Sequence, residues 1–199
     1  MTWLIANWPK STIFLAIYTA TLLTLYLMPT NLALYLIWIQ VPVYFLHQFE
    51  EYVFPGGFMA FFNAHVLASN RPDFPLDAVA SFYINVPIIF VAFPLSALLA
   101  GSYGIAVGVW TVYFSMINAA SHVGMFFKSG YNPGLAVSVV LNIPVGLFAI
   151  GYFFVHDTVS WQAHAIGLLI GLGVQGALMV YGFRYLKPKI APADAHPQL

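Results

Sequence analysis

Long apolar runs separated by short polar turns dominate the chain between Ser11 and Tyr185. A helix needs about 20 apolar residues to cross the hydrocarbon core of a bilayer. Six segments meet this requirement and are predicted to be transmembrane helices: residues 11–28, 32–53, 78–100, 103–127, 134–155 and 160–185. Proline, glycine and asparagine stand in the turns between them. The pattern therefore predicts an all-α polytopic membrane protein built as one six-helix transmembrane bundle.

Two further segments do not fit the spanning pattern. Residues 56–70 mix aromatic and polar side chains, which is typical of a helix at the membrane interface, here between the second and third spans. Residues 187–199 are polar and rich in proline and alanine, which predicts a flexible C-terminal tail. The domain organisation is then a single transmembrane domain over residues 1–186, followed by the tail.

Short similarities within the chain suggest an internal duplication. Asn85-Val86-Pro87 and Asn142-Ile143-Pro144 lie in the third and fifth spans, which run in the same direction. A Pro-Gly turn also follows the second span and the fourth. These matches suggest that residues 32–100 and 103–155 are a duplicated helix pair, related by an axis along the membrane normal.

The placement of basic residues predicts the orientation. All six fall on one side of the six-span arrangement: Lys10, Arg71, Lys128, Arg184, Lys187 and Lys189. Because short cytoplasmic loops carry the excess of lysine and arginine, both termini are predicted to be cytoplasmic. We expect the protein in a plasma membrane, the inner membrane of a bacterium.

Composition agrees with this class and excludes others. The chain is 61% hydrophobic and 6% charged, with no net charge, whereas soluble domains have about 25% charged residues. The absence of net positive charge argues against a nucleic-acid partner. The chain contains no cysteine, which excludes disulfides, thiolate metal sites and cysteine nucleophiles.

The only two glutamates, Glu50 and Glu51, lie at the end of the second predicted span. A carboxylate at the centre of a spanning helix costs roughly 2.5–3.5 kcal/mol on insertion scales, and less near the ends. No lysine or arginine lies in the interior of a predicted span to pair with them, so protonation, a histidinium or a cation must remove their charge. His47 shares a face with both, because it precedes them by three and four residues. The alternative is a span that ends at Phe49, with both glutamates solvated among the headgroups.

Helix geometry places other polar residues at the depth of His47. At a rise of about 1.5 Å per residue, His122 of the fourth span lies at a similar depth. Two imidazoles and two carboxylates suit one divalent cation, Zn²⁺ ahead of Fe²⁺ or Mn²⁺. The predicted metal ligands are His47, Glu50, Glu51 and His122. A glutamate not bound to the metal would be the general base, so both are candidate catalytic residues.

Five further residues are candidates for contact with a substrate or with the ligands: Asn85, Asn118, Asn142, His65 and Tyr131. The three asparagines occupy the same predicted layer as the two histidines, although amides of this kind also serve as hydrogen-bonding contacts between helices. His65 belongs to the predicted interfacial segment, where a solvated histidine is the ordinary alternative.

Three features together resemble a known family. His47-Gln48-Phe49-Glu50-Glu51 has the pattern that names the HXXEE-domain membrane proteins. That family is also marked by a further histidine, which His122 supplies, and by a Tyr-x-Pro-Gly motif, which Tyr131-Asn132-Pro133-Gly134 matches. The family is functionally uncharacterised, so the resemblance implies no reaction. It supports these residues as the positions of interest.

The leading hypothesis is a metal-dependent intramembrane enzyme, with hydrolysis as its reaction class. Its site would open near the cytoplasmic leaflet, and its substrate would be lipid-like or otherwise apolar and would enter from the bilayer. One alternative is a metal-free isomerase of lipids or isoprenoids, in which glutamate and histidine transfer protons, by analogy with sterol isomerases of the emopamil-binding type. Another is a transporter or scaffold that binds protons or a cation. A second copy of the chain is a further expected partner, through four glycines of the sixth span: Gly167, Gly171, Gly173 and Gly176.

Overall fold

The computed structural model describes residues 1–194, which fold into seven helices and contain no strand. The helices are α1 Thr2–Leu27, α2 Leu32–Tyr52, α3 Phe58–His65, α4 Ala78–Tyr103, α5 Val109–Ser129, α6 Leu135–Val155 and α7 Trp161–Lys189. The predicted all-helical class is confirmed for this part of the chain. Five helices (α1, α2, α4, α6 and α7) are long and apolar enough to cross a membrane. The chain thus has the composition and helix lengths of an integral membrane protein.

Helix α5 corresponds to the predicted fourth span and is not among those five. It is 21 residues long, but polar residues such as Asn118 and His122 lower its mean hydropathy. Its start also differs from the prediction, because Tyr103 ends α4 and Gly104 breaks the helix with a φ of 108°. The prediction placed the break at residues 101–102, whereas the helix continues to Tyr103 and α5 begins only at Val109.

Helix α1 begins at Thr2 rather than at the predicted Ser11. Trp8 is buried, and its ring lies 5.3 Å from the ring of Tyr52 at the end of α2. The N-terminal end of α1 therefore lies beside the C-terminal end of α2, and the two helices are antiparallel. Lys10 lies within α1 and is exposed, and its ammonium group donates to the Asn7 side chain at 2.9 Å.

Side-chain caps account for three of the helix starts. Asn31, Asp77 and Ser160 each accept a hydrogen bond from the backbone N–H three residues ahead, at 2.9, 2.8 and 3.3 Å. Such caps satisfy a donor that the first turn leaves unpaired. They set the starts of α2, α4 and α7 within one residue of the predicted positions.

Helices α4 and α6 each contain a π-helical segment near a proline, at Val86–Ala92 and Ser138–Asn142. Proline lacks the N–H of a regular helical turn, and a wider turn is one way to accommodate the loss. The corresponding positions of Pro87 and Pro144 in the two helices match the sequence similarity, but the proposed duplication stays a prediction.

The interior is apolar at one end of the bundle and polar at the other. Leu36, Ile37 and Val112 belong to the apolar end, where α2, α4, α5 and α6 meet. A second cluster around Tyr44 and Phe114 occupies the middle. The last turns of α2 and α5 then carry buried polar side chains, so the fold collects the candidate site residues at one end.

The sixth-span glycines divide into two pairs. Gly167 and Gly171 are buried against α5, and a Cβ atom at Gly171 would lie 2.9 Å from the backbone nitrogen of Phe114. A Cβ atom at Gly173 or Gly176 would meet nothing within 4 Å. Two of the four glycines therefore pack against a helix of the same chain. An oligomer formed through Gly173 and Gly176 stays a prediction.

The segment 56–70 contains a helix, α3, which is shorter than the segment, and its place at a membrane interface stays a prediction. Residues 187–194 of the predicted tail form the last turn of α7 and a 3₁₀ turn at Pro192–Asp194. The backbone carbonyl of Asp194 accepts a hydrogen bond from the backbone N–H of Asn70, at 2.7 Å. Residues 195–199, to which the flexible-tail prediction also applied, lie outside the described residues.

Candidate metal centre

Three buried side chains from two helices converge at the polar end of the bundle. His47 and Glu51 lie one turn apart on the inner face of α2, and His122 faces them from α5. Glu51 Oε1 is 3.6 Å from His47 Nε2 and 3.4 Å from His122 Nε2, and all three side chains are at most 5% exposed. The two imidazole rings lie 4.7 Å apart and nearly perpendicular. One potential ligand atom from each residue lies within 4.8 Å of the others.

These separations fit a shared metal ion. Nitrogen and oxygen ligands about 2.0–2.1 Å from a tetrahedral zinc lie roughly 3.3–3.4 Å from one another, whereas a direct N–H···O hydrogen bond is about 2.9–3.0 Å long. His47 Nε2 is buried and has no hydrogen-bond partner, and an unpaired buried polar atom costs about 1–3 kcal/mol. Two histidines and one glutamate are also a ligand set of catalytic zinc sites, which keep one position open.

The turn between α5 and α6 orients His122. Asn132 is fully buried, its Oδ1 lies 2.6 Å from His122 Nδ1, and its Nδ2 donates to the His122 carbonyl at 3.0 Å. Because an amide oxygen accepts, Nδ1 carries the imidazole proton, and the lone pair of Nε2 points toward Glu51. The Nδ1 atom of His47 has a weaker contact, 3.5 Å from Ser138 Oγ.

Replacing Asn132 with alanine should weaken metal binding without removing a ligand. Loss of a hydrogen-bond partner of a metal-binding histidine typically lowers metal affinity about 10–100-fold, because the partner fixes the orientation and the tautomer of the ring. Competition with a chromophoric chelator measures the affinity. Asn142→Ala is the matched control, since Asn142 is equally buried and donates to Ser115 Oγ at 2.9 Å, away from the ligands. Equal losses in both variants would contradict the orienting role of Asn132.

Glu50 points away from the imidazoles. Its Oε1 accepts hydrogen bonds from the Tyr131 hydroxyl at 2.9 Å and from the Ala136 N–H at 3.0 Å, and its Oε2 accepts from the Val137 N–H at 2.7 Å. The first turn of a helix has unpaired N–H groups that favour an anion, so Glu50 caps α6. Partial burial, together with the hydrogen bond to Glu50, raises the pKa of Tyr131 to about 12. The hydroxyl therefore stays a donor at neutral pH.

The motif that carries this cluster also identifies the family. A family model described as "Protein of unknown function with HXXEE motif" matches residues 38–149, more than half of the chain. The chain belongs to this family. The match runs from α2 into α6 and includes both histidines, both glutamates and the Tyr131–Gly134 turn. The resemblance seen in the sequence is confirmed. Comparisons with curated proteins and with solved structures found no match.

Two of the predicted asparagines line a small cavity beside Glu51. This inner cavity has a volume of about 90 Å³, and its wall includes Glu51, Asn85 and Asn118. Asn85 Nδ2 donates to the Tyr52 hydroxyl at 3.1 Å. Asn118 Nδ2 donates to Gln175 Oε1 of α7 at 3.4 Å. Both amides are therefore within the surroundings of Glu51 without contacting the imidazoles.

The remaining predicted residues lie farther from the cluster. Asn142 is one turn beyond Ser138 in α6 and bonds to Ser115. His65 is exposed at the end of α3, with its ring 4.6 Å from the Phe61 ring. Tyr131 reaches the site only through Glu50. The structure thus brings together His47, Glu51 and His122, and it places Glu50, Asn142, His65 and Tyr131 in other contacts.

Four further residues of the site were not predicted as site residues on their own, although each carries a signal in the sequence. Gln48 Nε2 donates to Glu51 Oε2 at 2.8 Å, and the residue lies inside the HXXEE motif itself. Asn132 and Gly134 belong to the Tyr-x-Pro-Gly turn. Gln175 is an amide in the middle of an apolar run, a placement that is costly without a polar neighbour.

Proposed function

We propose that this HXXEE protein is a metal-dependent membrane enzyme that hydrolyses a lipid-like substrate. The observation that carries the proposal is the convergence of three buried ligand atoms, one of them without a hydrogen-bond partner, beside a cavity. His47, Glu51 and His122 would bind one divalent ion, with Zn²⁺ ahead of Fe²⁺ or Mn²⁺. An ion of this kind supplies a water of lowered pKa and polarises a carbonyl.

The inner cavity supports a role in binding the substrate. Gln48 Oε1 and Asn118 Oδ1 are both buried and have no hydrogen-bond partner, and both residues line the cavity beside Glu51. Unpaired acceptors bind a donor from a ligand or from water. The rest of the wall is largely apolar and includes Ile88, Phe114 and Leu178. A few polar groups in an apolar wall are typical of small-molecule sites.

The two glutamates take different duties in this proposal. The carboxylate of Glu50 accepts three hydrogen bonds at the start of α6, so we assign it a supporting role. Glu51 faces both imidazoles and the cavity, and Gln48 holds its second oxygen. We assign metal ligation to Glu51.

The proposal includes the six-span topology with both termini in the cytoplasm. Helix α5 would be the fourth span, and its polar residues would face the bundle interior. Support comes from Ser115 and His122, which are buried, and from their partners Asn142 and Asn132. With that topology the metal centre lies near the cytoplasmic leaflet of a plasma membrane.

A metal-free isomerase is the second candidate. Glu51 Oε1 lies within 3.6 Å of both imidazole Nε2 atoms and borders the inner cavity. A carboxylate between two imidazoles can pass a proton to and from a bound substrate. Metal analysis distinguishes this candidate from the first.

Elemental analysis of the purified protein should find about one equivalent of zinc, iron or manganese per chain. The metal should be lost in His47→Ala and in His122→Ala, because each removes one of three ligands. The variants His65→Ala and His164→Ala should retain the metal, because His65 is exposed and His164 lies at the other end of the bundle. Absence of metal from the wild type, purified without chelator and incubated with each ion, would exclude the metal enzyme and favour the isomerase.

A further inference from the structure

A second cavity leads from the protein surface to the metal ligands. It has a volume of about 410 Å³ and lies between α3, α5 and α7. We call it the α3 cleft. Its walls are mainly apolar, and its inner end reaches His122. The pair Asn118 and Gln175 borders both the α3 cleft and the inner cavity beside Glu51. The two cavities therefore adjoin, with this amide pair between them.

The outer end of the α3 cleft is basic. Lys128 and His65 line it and are exposed, and no aspartate or glutamate is among its described lining residues. Farther in, Gln175 Nε2 donates to Ser121 Oγ at 3.4 Å. From outside to inside, the cleft therefore presents a cation, an apolar wall and then amides next to the metal ligands.

The apolar wall of the α3 cleft consists mainly of phenylalanine and methionine side chains. Phe58 and Phe62 of α3 face Met125, Met179 and Phe183 across the cleft. Methionine is unbranched and adapts to chains of varied shape, and the phenylalanine rings add apolar area. A volume of about 410 Å³ is at the small end of ligand pockets, which measure about 300–1,000 Å³. This space suits one acyl-like chain rather than two.

We propose that the α3 cleft binds a single-chain amphiphile with an anionic head group. The head group, a carboxylate or a phosphate monoester, binds at Lys128 and His65. The chain lies against the aromatic wall, and its inner end reaches Asn118 and Gln175. As the substrate class of the enzyme this rests on the proposed function, but binding itself does not require the metal ions.

A photoreactive diazirine fatty acid tests this proposal with the full chain in phosphatidylcholine nanodiscs. Mass spectrometry should find the label on peptides that contain Met125, Met179 or Phe183. Oleate and oleyl phosphate should compete for labelling, and whichever competes better identifies the head group. Oleyl alcohol should not compete, because it lacks the charge. Equal competition by the alcohol, or label spread over the lipid-exposed faces, would overturn the proposal.

Two variants make the test specific. Lys128→Gln should reduce labelling about fivefold, the effect of one basic residue near a membrane surface. Lys10→Gln removes an equal charge from an exposed residue of α1 and should leave labelling unchanged. Unchanged labelling in Lys128→Gln would contradict the basic rim as the head-group site.

Gly124→Leu should block the α3 cleft. Gly124 lines it, and a Cβ atom there would meet nothing within 4 Å, so the larger side chain enters open space. Gly151→Leu is the matched control, since Gly151 is exposed in α6 and equally open. Full labelling in Gly124→Leu would overturn the proposal.

Labelling is repeated after treatment with EDTA. Specific labelling of a protein that never binds metal would uphold the cleft and contradict the proposed enzyme. Metal binding without specific labelling would uphold the metal centre and contradict the α3 cleft as a binding site.

Discussion

Glu51→Gln should abolish metal binding, whereas Glu50→Gln should leave it nearly intact. Among the described residues, the first change removes the only carboxylate that lies close to both imidazoles, since Glu51 Oε1 lies 3.4 and 3.6 Å from their Nε2 atoms. Because loss of a supporting residue alone costs about 10–100-fold in metal affinity, loss of the anionic ligand should cost more than about 100-fold. Equilibrium titration with Zn²⁺ in the presence of a competing chelator measures both affinities.

Glu50→Gln should instead reduce stability. The carboxylate accepts three hydrogen bonds, two of them from the N–H groups of Ala136 and Val137. A glutamine amide offers one oxygen, so at least one of these partly buried donors loses its charged acceptor, at a cost of about 1–3 kcal/mol. Thermal unfolding in detergent should therefore show a loss for Glu50→Gln in the metal-free protein. If both variants lost metal equally, the assignment of the two glutamates to separate duties would be wrong.

Gly134→Ala should also eliminate metal binding, although no ligand is changed. A Cβ atom at Gly134 would lie 2.6 Å from His122 Cε1 and 3.0 Å from His47 Cε1. Carbon atoms pack no closer than about 3.5 Å without repulsion, so the two rings would have to move apart. The metal content of the purified variant, measured by elemental analysis, should fall well below that of the wild type.

Gly130→Ala controls for backbone strain in this experiment. Gly130 and Gly134 both have positive φ values, 78° and 101°, but a Cβ atom at Gly130 would meet nothing within 4 Å. Both changes cost about 1–3 kcal/mol in strain. Only Gly134→Ala displaces the imidazoles. Retention of metal by Gly134→Ala, or equal loss from both variants, would show that the close approach of this turn to the rings is unimportant.

The apolar pattern was sufficient to predict the helical class and the helix starts that have side-chain caps, whereas the family was recognised from the HXXEE and Tyr-x-Pro-Gly motifs. The pattern began the helix that carries His122 six residues too early, because the chain leaves the helical conformation at Gly104 and α5 starts at Val109. Hydropathy measures lipid-facing surface, and a helix whose inner face is polar registers weakly by that measure. The same polarity that locates the site therefore leaves α5 outside the helices that hydropathy alone selects as membrane spans.

The helical spacing of His47 predicted that Glu50 and Glu51 were both within its reach, and spacing alone could not choose between them. The choice depends on contacts that are distant in sequence. The first turn of α6 supplies N–H donors to Glu50, and His122 of α5 faces Glu51. Asn132 was missed as a supporting residue for a similar reason, since its partner lies in the preceding helix.

The Tyr131–Gly134 turn has a practical consequence for work on this protein. Exposed connections between helices are ordinarily the segments where reporter groups, epitopes or cleavage sites are inserted without harm. This one contacts Glu50 through Tyr131, His122 through Asn132 and both imidazoles through Gly134. An insertion here would separate α5 from α6 at the point where both reach the ligands. The connection at residues 156–160, at the opposite end of the bundle, is the better location for a tag.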